Sequence, residues 1–113
     1  MRRQQHTIAL DLLVSLLPSV KEVLGLIANQ DKHLAVDMRR AMQSVVMNLG
    51  EADGSDRGNR RARLHTVMGS LREFRAGLKM AVAWDYVPGA RAAALDDELD
   101  SVAAMTYRRL HPR

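Results

Sequence analysis

An all-α fold, an up-down-up-down antiparallel four-helix bundle, is the class this sequence predicts, and three observations predict it. Apolar residues make up 47% of the 113-residue chain, whereas aromatics make up only 4%. Leu, Val, Ala and Met must therefore fill the interior, which suits helix-on-helix packing better than sheets rich in β-branched and aromatic residues. Turn formers are confined to three clusters, NQD at 29–31, DGSDRG at 53–58 and VPGA at 87–90. Between them run long stretches with apolar residues at helical spacing, and short links between long helices make neighbours antiparallel. A single domain accounts for residues 1–113.

The first helix is predicted over about 7–28. Asp11, Ser15, Pro18 and Glu22 fall on one line, and nearly everything else between Leu10 and Ile27 is apolar. A helix in a single bundle needs an apolar arc of only about 100° or somewhat more. The surplus predicts a second buried face, against another subunit. The alternative is that this is the most buried helix of a monomer. Pro18 lies on the polar stripe, where the carbonyl it frees can meet water. A basic start followed by an apolar run imitates a secretion signal, but Asp11 interrupts the run and the amphipathic pattern continues past Glu22. No uncharged segment of about 18 residues occurs, so no membrane association is expected. The absence of Cys excludes disulfides and thiolate zinc sites and fits a cytoplasmic location.

The second helix is predicted over about 32–52, with Leu34, Met38, Ala41, Val45 and Leu49 as its core face. Asn48 falls at the edge of that face, and Ser44, Glu51 and Arg40 lie further along the same flank. The third, over about 59–84, turns Leu64, Val67, Leu71, Phe74, Leu78 and Val82 to the core. On another of its faces lie Gly69, Ser70, Glu73, Ala76 and Gly77, small enough in part for close backbone approach. Arg40, Ser44, Asn48, Ser70 and Glu73 are accordingly read as an interhelical polar network that sets the register of these two helices. The alternative is a set of separate, solvated side chains. Ser55 or Asp56 is expected to cap the third helix, and Trp84 and Tyr86 to plug the bundle end. The fourth helix, over about 91–110, has Leu95, Leu99, Val102 and Leu110 as its core stripe. DDELD at 96–100 near its start and Arg108 and Arg109 near its end would complement the helix dipole. That explains the acidic run better than a metal site, whose ligands must converge from several elements.

The same blocks carry a family resemblance. MRRAMQSVVMNLGEADG at 38–54, then VMGSLREF at 67–74, then AWDYV at 83–87 resemble a bacterial four-helix-bundle family. Its members include proteins encoded in intervening sequences of large-subunit ribosomal RNA genes and, more distantly, the accessory variability proteins of diversity-generating retroelements. The positions that agree with the family pattern are Arg39, Arg40, Ala41, Ser44, Val45, Asn48, Leu49 and Glu51, then Gly69, Ser70 and Glu73, then Tyr86 and Val87. Asp37 stands where a Gln is usual, GEA at 50–52 replaces Ala-Glu-Gly, and Asp85 replaces a Gly. The likeness runs from about Leu34 to Leu110. It implies a bundle that assembles into a ring- or barrel-like homo-oligomer, a homopentamer, with no enzymatic activity. For the retroelement members it implies binding of nucleic acid and of a reverse transcriptase. For most others no function is assigned, and this chain looks closer to that group.

Charge points to a polyanion. The chain is formally +4, with 14 Arg against 3 Lys. From Arg57 to Lys79 there are seven cations, Arg57, Arg60, Arg61, Arg63, Arg72, Arg75 and Lys79, and one acid, Glu73. Cations at a helix N-terminus oppose its dipole, at roughly 0.3–1 kcal/mol each. Backbone phosphates would compensate, and Arg suits bidentate phosphate contact. These seven residues are the candidate nucleic-acid-binding set, for the backbone of RNA or DNA. With one Trp, two Tyr and one Phe, stacking recognition of bases is not expected. The rival readings are solvated arginines, or arginines paired with acids across subunits.

No catalytic constellation is evident. His6, His33, His65 and His111 are scattered and form neither the Glu-x-x-His pairs of di-iron bundles nor an HExxH zinc site. No Gly-rich phosphate loop follows a strand, and no cofactor is expected. The expected function is thus a non-catalytic homopentameric accessory that binds nucleic acid or a nucleoprotein partner through its Arg-rich face. The alternative is a structural or protein-interaction scaffold with no nucleic-acid role.

Overall fold

The computed structural model describes residues 2–112, with side chains over 8–112. Among them the chain forms four helices and no strand: α1 (Arg2–Ala28), α2 (Lys32–Gly54), α3 (Arg57–Ala83) and α4 (Gly89–Leu110). α1 packs against α2 and α4, and α3 against α2 and α4, with the most extensive contact between α2 and α3. This closed cycle of neighbours is the up-down-up-down bundle. Its long axis measures 42 Å, about the length of a straight 27-residue helix at roughly 1.5 Å per residue.

α2 ends two residues later and α3 and α4 begin two residues earlier than their periodicity predicts, because turn residues are drawn into the helices, while α1 is longer at its N-terminal end. Asp31 caps α2 by accepting from the Leu34 amide at 3.0 Å. Asp56 caps α3 in the same way through the Asn59 amide at 3.0 Å, which places Arg57 and Gly58 inside the helix. Of the two candidate caps, Asp56 is the one used; the Ser55 hydroxyl donates back to the Glu51 carbonyl. Only Ser55 and Asp56 separate α2 from α3.

α3 ends in two nested bonds, from the Asp85 amide to the Val82 carbonyl (3.0 Å) and from the Tyr86 amide to the Ala81 carbonyl (2.8 Å). That is the Schellman closure, which needs a left-handed residue after the helix. Asp85 takes that conformation, with φ 61°. The aromatic plug expected here is formed only in part: Tyr86 packs, half-buried, against the core, and Trp84 does not. Trp84 is 57% exposed and meets Tyr86 edge-on at 5.8 Å, while Val87 is the residue buried at this end.

The core follows the predicted faces, with small residues added at the margins. Leu64, Val67, Leu71, Phe74 and Leu78 of α3 are buried, and so are Leu95, Leu99, Val102 and Leu110 of α4. Leu34 and Val82 lie at the margin, half-buried. Ala35, Met42 and Ala52 join the α2 face, and Gly77 and Ala81 join the α3 face. Gly77 is the point of closest approach: a Cβ there would lie 2.7 Å from Cγ of Met38. Gly69 has open space around it, so it contributes nothing to that approach. Thr106 is the one buried polar residue among those described, and its hydroxyl is satisfied by the Val102 carbonyl at 2.8 Å.

α1 is absorbed only in part. Ala9, Leu13, Leu16, Val20, Val23 and Ile27 enter the core. A second line, Leu10, Val14, Leu17, Lys21 and Leu24, runs beside it at alternating spacings of four and three. Val14 is 49% exposed, and Leu10, Leu17 and Leu24 are half-buried. With Met42, Val46 and the exposed Met47 of α2, Leu17 and Leu24 line an apolar groove of about 760 Å³ that Lys21 and Arg39 also border.

Candidate nucleic-acid interface

Two groups of polar side chains lie along α3, one on each flank of its core face. On the α2 side, Ser70 donates its hydroxyl to Ser44 Oγ at 2.8 Å. Asn48 donates through Nδ2 to the Ser44 carbonyl (2.8 Å) and to Ser44 Oγ (3.2 Å), and its Oδ1 accepts from Arg63 Nη1 at 3.2 Å. The network between α2 and α3 is therefore Ser44, Asn48, Ser70 and Arg63. Arg40 and Glu73, expected in it, are exposed and make no hydrogen bond to it among the described residues. Their positions on α2 and α3 point them to solvent, away from the half-buried seam where a compact amide and two hydroxyls satisfy one another.

On the α4 side runs the basic stripe. Over the C-terminal half of α3 it is matched by acids. Arg75 grips Asp96 with Nε to Oδ1 at 2.8 Å and Nη2 to Oδ2 at 3.1 Å, and reaches Asp100 at 3.2 Å. The hydrogen bond from Arg75 holds the Asp96 carboxyl below the usual carboxylate range, against the opposing effect of partial burial, and the nearby Lys79 adds to the lowering. Arg75 is raised correspondingly, chiefly by the same bond. Two expectations are corrected here. Arg75 is occupied by carboxylates of its own chain, so it is not free for phosphate. The acids at 96–100 lie beyond the first turn of α4, which holds no acid; a dipole effect fades within that turn, and Asp96 and Asp100 are used instead in cross-helix pairing with Arg75.

Over the N-terminal half of α3 the stripe has no such match. Arg57, Arg60 and Arg61 meet Arg108 and Arg109 of α4 around a cleft of about 680 Å³. Leu64, Met105 and Leu110 give it an apolar lining, and Ile8 of α1 borders it. Some of these cations have structural duties. Arg60 donates to the Ser55 carbonyl (3.3 Å), and Arg61 donates to the Leu110 carbonyl at the end of α4 (3.0 Å). Capping that carbonyl is favourable to the α4 dipole and offsets part of what the cation costs at the start of α3. Arg109 pairs with Asp53 near the end of α2 at 3.0 Å, with side chains only 13% and 17% exposed. Asp53 is the one carboxylate among the described residues paired with a cleft arginine.

Of the seven candidate cations, the structure thus brings Arg57, Arg60 and Arg61 together at one end of the bundle. Arg63 turns to the α2 seam, Arg72 is exposed at mid-helix, and Lys79 lies beside the acids of α4. Arg108, Arg109 and Asp53 belong to the site but were not legible as such. In sequence they serve a helix terminus and a turn, and only the antiparallel return of α4 sets them against α3. Among the described residues no group of His, Cys, Asp or Glu is placed to hold a metal ion, and no helix is long and apolar enough to cross a membrane.

No family model, no curated protein and no solved structure matches this chain.

Proposed function

We propose that the protein is a non-catalytic homo-oligomeric accessory that binds nucleic acid, or a nucleoprotein partner, through the arginines at the start of α3 and the end of α4. One observation carries this reading. The α3–α4 seam changes character along its length, with arginine met by aspartate in one half and arginine gathered with arginine in the other. Like charges brought together cost free energy unless an anion completes the site, and phosphate is the anion that guanidinium recognises with two parallel bonds. Scarce aromatics leave no stacking platform, so the contact is to the backbone and is weak in sequence preference.

Self-association is part of the proposal. The second apolar line of α1 and the groove it shares with α2 fit another copy of the chain, because heptad-like spacing is what paired helices use. The ring of five rests on the family resemblance, as does a reverse transcriptase as partner. Five copies would carry +20, five times the formal charge of one chain, enough to steer a polyanion.

Titrating salt against binding to arbitrary RNA and DNA duplexes tests the reading. We expect log affinity to fall linearly with log salt, by about 0.9 per phosphate contacted. No binding at low salt would instead favour a scaffold that engages acidic protein surfaces. The Arg75 grip on Asp96 and Asp100 is the observation that favours this second reading, since here an arginine of the same stripe holds two carboxylates.

A further inference from the structure

The shape of the arginine cleft says more than that it is basic. Strand-tracking sites space their cations along a groove, one phosphate after another. Here Arg57, Arg60, Arg61, Arg108 and Arg109 surround one volume of about 680 Å³, within the range of small-ligand pockets. Set against the Asp53 carboxylate, they leave four formal positive charges converging on it. Two of the guanidinium groups also hold buried nitrogens with no partner among the described residues, Arg60 Nε and Arg109 Nη1. Among the described residues Asp53 Oδ2 is a buried acceptor in the same state beside them.

We propose that this cleft binds a phosphomonoester, the terminal phosphate of a nucleic-acid strand, in preference to the phosphodiesters of its backbone. A monoester carries about −1.5 to −2 charge at neutral pH and presents three strong acceptor oxygens. A diester carries a single charge and two free oxygens. Convergent guanidinium groups therefore favour the monoester. The apolar lining from Leu64, Met105 and Leu110 receives the adjoining nucleoside without reading its base, since no aromatic ring among the described residues lines the cleft. A monoester at a strand end presupposes the nucleic-acid reading above, while a free nucleotide offers the same chemistry without it.

The test compares the full-length protein on three forms of one labelled oligonucleotide, with a 5′-phosphate, a 3′-phosphate, or hydroxyls at both ends, by fluorescence anisotropy. Calorimetric titrations with a nucleoside monophosphate and with inorganic phosphate run alongside. We expect a terminally phosphorylated strand to bind about tenfold more tightly than the hydroxyl form, the gain of one or two charge-assisted contacts. The exposed pair R57Q/R108Q should abolish that preference, whereas R72Q, on α3 but outside the cleft, should keep it. Arg109 is left intact because its loss would strand Asp53 in a half-buried site. Equal binding of all three strands, with no response to the nucleotide or to phosphate, overturns the inference and leaves backbone binding standing. If the nucleoside monophosphate binds and no strand does, the monoester site stands and the nucleic-acid reading falls.

Discussion

Asp85 is a single residue held in a conformation that suits another. The Schellman closure of α3 puts it at φ 61°, where a side chain costs on the order of 1 kcal/mol and glycine costs little. Asp tolerates the left-handed region better than most residues, which is why the turn forms at all. Asp85→Gly should raise unfolding stability by about 0.5–1 kcal/mol, visible as a higher urea midpoint with unchanged slope. A loss of stability would mean that the Asp85 side chain has a stabilising role that the backbone does not reveal. Spacing alone could not tell that this position follows a helix end. Only the two nested bonds do.

At the scale of the element, the α2–α3 pair separates two glycines that look alike in sequence. Gly69 and Gly77 both lie inside α3. Gly69→Ala adds a methyl group to open space and should stabilise by up to about 1 kcal/mol through helix propensity alone. Gly77→Ala drives a carbon to 2.7 Å from Met38 and should destabilise by about 1–3 kcal/mol, as overpacking does. Thermal unfolding of the two variants should therefore move in opposite directions. The α3–α4 seam makes a second prediction. Asp96 has its carboxyl depressed by Arg75 below its ordinary 3.8. The unfolded chain then binds a proton that the folded chain refuses, so the contribution is full above about pH 4 and is lost as pH falls through the depressed value. Asp96→Asn should flatten the fall in stability below about pH 4, measured by urea unfolding at a series of pH values. These elements were largely legible in sequence: the core faces of α2, α3 and α4 follow from a period of 3.6. Helix ends were less so: Ser55 and Asp56 both offered a cap for α3, and only the bond from the Asn59 amide selects Asp56. The polar network was legible in Ser44, Asn48 and Ser70 but not in Arg63, whose long side chain crosses to a neighbouring helix that periodicity cannot place.

For the whole molecule, the division of α1 into a core line and an outer line is the feature with the widest reach. Met47, 65% exposed and lining the same groove, offers a clean probe. Met47→Glu should leave helicity unchanged and lower the mass seen by light scattering at micromolar concentration. An unaltered mass with intact assembly would place the subunit contact elsewhere, and a wild-type monomer would remove it. The site itself was half legible. A run of arginines at the start of α3 is plain to read, but their companions come from the far end of the chain.

An even number of antiparallel rods returns the polypeptide to the side from which it set out. The beginning of α1 and the end of α4 therefore flank the same mouth, as Ile8 and Pro112 in its walls attest. Any purification handle or fluorophore joined there would crowd the arginines. One grafted into the turn at 29–31 would stand at the opposite pole of a 42 Å molecule, leaving that mouth clear.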